Sequence, residues 1–216
     1  MSNDIETRLD ALFEADRALR EAEQAFHLAG EAQERVDALG RSLEATLRLE
    51  DPEESALRLM RIAELLGEET GATVVRHLLR LLDHDEPGVR AAAGESLLEL
   101  GYSRYAEVAR GVEKVIEEGK ALNALKEVPY LLSELGEPGG VKLCIRLLKH
   151  ADANVVGAAI EALAMLSDPT ALKDIDRLKT DKRVVDNSDS DEEDAGPVTV
   201  GELAREAIDH LRALRA

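Results

Sequence analysis

RLLDHDEPGVRAAAGESLLELG (Arg80 to Gly101) and RLLKHADANVVGAAIEALAMLS (Arg146 to Ser167) are one pattern written twice. Ten of 22 positions coincide at an offset of 66, among them the arginine, the Leu-Leu pair, the histidine, Val89/Val155 and Glu95/Glu161. Self-similarity at a fixed spacing marks stacked repeats, and 66 is twice 33, so a further copy belongs between the two. It is there in looser form: KALNALKEVPYLLSELG closes on Leu135-Gly136, and upstream ALRLMRIAELLG closes on Gly67. The closing positions Gly67, Gly101, Gly136 and Ser167 are spaced 34, 35 and 31.

Each unit reads as two amphipathic helices. The first carries Val89, Ala92, Ala93, Leu97 and Leu100 at helical spacing and stops at Gly101, glycine being a common C-terminal stop. The second carries Val74, Leu78, Leu81 and Leu82, then breaks at His84-Asp85-Glu86-Pro87-Gly88. Asp-Pro pairs at Asp51-Pro52 and Asp168-Pro169 predict helix starts, with Asp capping and Pro in the first turn. Pro129 inside a first helix predicts a kink. Leu81, Leu82, Leu97, Leu100, Leu147, Leu148 and Leu163 are the expected core.

Composition agrees with helix. Aromatics are 2% and Trp is absent, so Leu, Ala, Val and Ile fill the interior. Forty-five acidic residues against 27 basic ones give a net charge of −18, which repels nucleic acid and anionic membranes. The single cysteine, Cys144, forms no internal disulfide and fits a reducing compartment. The opening MSNDIETRLD is neither a signal peptide nor an anchor, and no apolar run reaches the ~20 residues of a membrane span. A cytoplasmic location and no membrane partner are the expectations.

The turn Asp85-Glu86-Pro87-Gly88-Val89-Arg90, the Ala91-Ala92-Ala93 run, Glu95 and the Leu97-to-Gly101 close resemble the HEAT-repeat family, in the short form related to bilin-lyase-like repeats. The resemblance covers residues 51–183 and the C-terminal helix 201–216. It implies an all-α fold, a right-handed α-solenoid of HEAT-type helix pairs with about ten helices, and leaves function open. The family's Val-Arg pair survives only at Arg90, since position 156 is valine.

Two segments stand outside the repeats. Residues 1–50 carry Ile5, Leu9, Leu12, Leu19 and Phe26, then Val36, Leu39, Leu43 and Leu47. Gly30 separates them into two helices that form a degenerate cap; a continuous coiled-coil helix is the rival reading, and a homodimer through these helices stays open. Residues 184–200, VVDNSDSDEEDAGPVTV, read as an acidic mobile loop with no apolar surface to bury. Asp186, Ser188, Ser190 and Asp191 loosely echo an EF-hand, but the glycine of that motif is missing.

No catalytic constellation is present: no Gly-rich phosphate loop, no His-Glu-x-x-His, no Cys-x-x-Cys and no nucleophile elbow. No enzyme activity and no cofactor are expected. His84 and His150 are repeat equivalents at a helix end, where a cationic His meets the helix dipole. Iron-binding hydroxylases of the HEAT family use His-Glu dipeptides, and this chain has none.

One pattern points to a partner. The polar positions one and five residues before the Leu-Leu or Val-Ile pairs of the second helices are Arg80 and Arg76, Lys114 and Arg110, Arg146 and Lys142; the fourth unit adds Arg177 and Lys173. Residues four apart share a helix face. In HEAT-type arrays the second helices line the concave side, so the resemblance implies a basic concave stripe for an acidic segment of another protein. Four or more of the eight held in pairs with Glu or Asp would dissolve it. The acidic loop offers such a segment in cis. Two alternatives are an alkyl-purine glycosylase-like nucleic-acid binder, opposed by the charge and the lack of interleaved aromatics, and a bilin-lyase-like protein.

Overall fold

A computed structural model of the chain describes residues 2–186 and 198–214. Ten α-helices follow in order: α1 (Ser2–His27), α2 (Ala32–Thr46), α3 (Pro52–Gly67), α4 (Ala72–Leu82), α5 (Pro87–Glu118), α6 (Leu122–Leu135), α7 (Pro138–Leu147), α8 (Ala153–Met165), α9 (Leu172–Asp176) and α10 (Val200–Ala213). The only strands among the described residues are β1 (Val184–Val185) and β2 (Val198–Thr199), paired antiparallel. The fold is all-α.

The helix starts follow from capping chemistry. Asp51 accepts from the N–H groups of Glu53 and Glu54 at 3.1 and 3.2 Å, and Pro52 takes the first turn, where its missing N–H costs nothing. Asp168 receives the Thr170 N–H at 2.8 Å in the same way. The start of α6 is capped from a distance: the Asp83 carboxylate receives the N–H groups of Asn123 and Ala124 at 2.9 and 3.2 Å.

Packing proceeds along the chain. α3 lies on α5, α5 on α6, α6 on α8 and α8 on α10; α4 packs on α5, α7 on α6 and α8, and α9 on α10. The apolar faces join in one core, and all seven leucines expected there are buried. Leu97 and Leu163, the matched pair of the two repeat copies, are both at 0% exposure.

Several local expectations need correction. α5 does not stop at Gly101: it runs on to an interruption at Arg104 (φ −140°, ψ 42°) that divides it into limbs 87–103 and 105–118. Gly101 is instead a contact, since a Cβ there would meet both Leu135 methyls at 2.6 Å. The left-handed stop appears at Gly136 (φ 64°) and at Ser167 (φ 55°), where a serine adopts what glycine adopts without strain. Pro129 lies inside a helix, where the sequence places it. α6 is continuous through it, held by buried Leu125, Val128, Leu131 and Leu132 on either side.

His84 and His150 serve their turns as acceptors: each Nδ1 receives a backbone N–H two residues on, from Glu86 and Asp152, both at 3.1 Å. The segment 184–200 is not loop at its ends: β1 and β2 tie them together, and Val185 is buried. The remainder of that loop, 187–197, with Ser188, Ser190 and Asp191, lies outside the described residues. The chain breaks between α1 and α2 at Gly30 (φ 62°). Capping of the core then falls to α2, which buries Val36, Leu39 and Leu43, while α1 buries none of its described side chains completely.

Candidate functional site

The repeat that sets α4 and the second limb of α5 in register also sets their outward cations together. Val75 and Leu79 of α4 face Gly111 of α5 so closely that a Cβ on Gly111 would stand 2.5 Å from a Val75 methyl. The two helices thus meet at a bare backbone strip and diverge above it, leaving a groove of about 500 Å³. Its floor is Val75, Leu79, Gly111 and Val115, and its rims carry Arg76, Arg80, Arg110 and Lys114. Four of the eight sequence-predicted cations are therefore brought to one site.

Three acids also line the groove, and each is already engaged. Asp83 caps α6, Glu107 pairs with Arg104 at 3.2 Å, and Glu118 stands 3.9 Å from Lys114. Arg80 pairs with Glu44 of α2, and that guanidinium holds the Glu44 carboxyl below its ordinary range. Arg76 and Arg110 form no ion pair with a described residue. Arg76 has one weak hydrogen bond, to Thr73 Oγ1 at 3.4 Å. Half-buried His77 lies beneath Arg76 and Arg80; burial first, then these two cations, push its imidazole below the ordinary value.

The other four predicted cations do not join the groove. Arg146 is held by Glu113 at 2.6 Å and Glu117 at 3.4 Å, and Arg177 by Asp174 at 2.9 Å. Lys142 and Lys173 are exposed and form no ion pair with a described residue. With Arg80, Lys114, Arg146 and Arg177 all in pairs, the continuous eight-cation stripe does not form. Two of these pairs cross between helices about one repeat length apart, Arg80–Glu44 and Arg146–Glu113, and two are local, Lys114–Glu118 and Arg177–Asp174.

Sequence reasoning missed a second surface. Two adjoining hollows, about 530 and 440 Å³, run along α5, α6 and α8 and share Arg90, Glu127 and Tyr130. Glu95, Glu127, Glu134 and Glu161 line them, so this surface is acidic where the groove is basic. Tyr130 donates to Glu161 at 2.5 Å; burial and that bond both push its phenol upward. The signal was available in the matched pair Glu95/Glu161.

Cys144 is buried, which pushes its thiol up to about 12 and removes the reactive thiolate. Among the described residues no three His, Cys, Asp or Glu side chains gather to hold a metal, and no helix is long and apolar enough to cross a membrane.

No protein-family model and no curated protein matches the chain. Among solved structures, the crystal structure of an engineered protein is similar over 89% of this chain and 90% of its own, at 20% identity and a TM-score of 0.36. At that level neither fold nor function transfers.

Proposed function

We propose that the chain is a non-catalytic interaction scaffold, a right-handed α-solenoid of HEAT-type pairs whose groove between α4 and α5 binds an acidic amphipathic segment of another protein. The observation that carries this reading is the groove itself: an apolar floor rimmed by four cations, two of them without an ion pair among the described residues, on a molecule of charge −18. Like charges held side by side are mildly destabilising unless a ligand offsets them, and a carboxylate docked between Arg76 and Arg110 does so. The apolar floor supplies burial, and the rim supplies orientation. The solenoid reading rests on the repeat period together with the stepwise packing of helices along the chain. The groove has no aromatic lining for base stacking, which speaks against nucleic acid. A cytoplasmic scaffold fits the single buried thiol.

Fluorescence anisotropy with a labelled Glu/Leu amphipathic helical peptide tests the reading, with duplex DNA measured in parallel at low and high salt. Saturable peptide binding that Arg76→Glu/Arg110→Glu abolishes is the expected result. Peptide binding unchanged by that double variant, or tighter binding of DNA than of peptide, overturns it.

A further inference from the structure

α1 is a helix of 26 residues whose body touches little of the protein. Among the described residues only its end is fastened: Glu23 pairs with Arg61, His27 Nε2 lies 3.0 Å from Glu68, and Phe26 packs on the core. Before that point Ile5 is 70% exposed, Leu9 47%, Leu12 65%, Phe13 57% and Leu19 50%. These residues are not scattered. Ile5, Leu12, Leu19 and Phe26 recur every seven residues, and Leu9, Asp16 and Glu23 interleave with them, alternating steps of four and three. That is the seam spacing of a two-stranded coiled coil. Lone surface leucines need no account, but an aligned seam on a helix with so few contacts does.

We propose that α1 associates with α1 of a second copy as an antiparallel pair. The charges on the helix choose both occupant and direction. In a parallel pair Asp16 would face Asp16 across the middle of the seam, setting like charges together where water is excluded. In the antiparallel pair centred near Glu14, Leu9 meets the second copy's Leu19, and Leu12 meets Asp16. The Asp16 carboxylate is held by Arg20 of its own helix at 3.0 Å, so it enters already paired. In the same register Glu6 on one flank lies beside the second copy's Arg20, twice by symmetry, and the two Phe13 rings meet at the axis. The other flank carries Ala15 and Ala22, small enough for close approach. Asp4, Asp10, Glu14 and Glu21 fall on the outer face, where they keep the pair hydrated and oppose larger bundles. This association is independent of the groove between α4 and α5.

Sedimentation equilibrium of the full chain between roughly 1 and 100 µM reads the association directly. A concentration-dependent dimer is expected. Leu12→Glu should weaken it at least about 30-fold, the loss typical of a central interface side chain. Leu57→Glu, which changes another exposed leucine, on α3, should leave it unchanged. Direction is read by disulfide trapping, with Cys144 buried and out of reach. An equal mixture of Leu9→Cys and Leu19→Cys should cross-link between the two variants faster than either does with itself. A monomer at 100 µM, a dimer indifferent to Leu12→Glu, or self-cross-linking of Leu9→Cys as fast as the mixture each overturns the proposal.

Discussion

Arg183→Ala should destabilise the protein by about 2 kcal/mol, a large effect for an arginine that is more than one-third exposed. Its Nη1 donates to the carbonyls of His150 and Ala151 at 3.0 and 2.8 Å, closing the turn between α7 and α8. Its Nε and Nη2 reach Asp181 at 3.0 and 2.7 Å. Each hydrogen bond to a carbonyl contributes about 1 kcal/mol net, more when the donor is charged. The Asp181 pair, partly in water, adds only tenths after screening. Arg90 performs the same task two repeat units earlier, donating to the carbonyls of His84 and Asp85 at 3.2 and 2.8 Å and to Glu127 at 3.3 Å. Arg90→Ala should therefore lose a similar amount. Arg183→Lys should recover less than half, because one ammonium cannot serve two carbonyls and a carboxylate in a fixed fork. Urea unfolding monitored by circular dichroism measures all three, with an unchanged m-value as the condition for comparing midpoints. A loss below about 0.5 kcal/mol for Arg183→Ala, or full recovery by Lys, would refute the argument that the guanidinium fork closes the turn.

Three further outcomes follow from single sites. Leu97→Ala, at a fully buried position, should lose roughly 2–5 kcal/mol in the same assay, and less than about 1 kcal/mol would mean its face is misread. Ser167→Gly should gain roughly 0.5–1 kcal/mol, because φ 55° strains a serine and not a glycine, offset in part by the one weak hydrogen bond its hydroxyl shares between the Ala164 and Met165 carbonyls; a loss would show that bond dominates. His77 titrates below its unfolded value near 6.5, so under acid the unfolded chain takes the proton first; stability should fall as pH drops below about 6.5, and His77→Gln should flatten that slope.

Legibility in the sequence followed distance along the chain. Burial repeats with the helical period, so the core could be read: Leu97 and Leu163 were assigned by alignment alone and both are fully buried. Caps could be read where donor and acceptor are two or three residues apart, as at Asp51 and Asp168. Contacts across elements could not. The arginine lost at position 156 leaves a valine at 0% exposure, and its task passes to Arg183, 33 residues beyond the turn it closes at His150. The interruption of α5 at Arg104 has no proline or glycine at the residue itself. The role of Gly101 depends on Leu135 of another helix, so its type alone announced a stop that the packing removed.

The same offset explains why the cations divide as they do. Pairs such as Arg35–Glu69, Arg80–Glu44 and Arg146–Glu113 join positions 34, 36 and 33 residues apart, about one repeat length. A cation is neutralised when the residue one unit away is acidic, and an acid excess of 18 makes that common. Arg110 lies 34 residues from Arg76, and Lys114 lies 34 from Arg80. Here the repeat sets cation beside cation, so Arg80 finds its acid one unit the other way, at Glu44, and Lys114 finds one within its own helix, at Glu118. Arg76 and Arg110 have no such neighbour among the described residues. A positive site on a strongly negative molecule thus arises where matched cations of neighbouring units lack acids of their own, and its attraction for a carboxylate should weaken with added salt while its apolar floor does not.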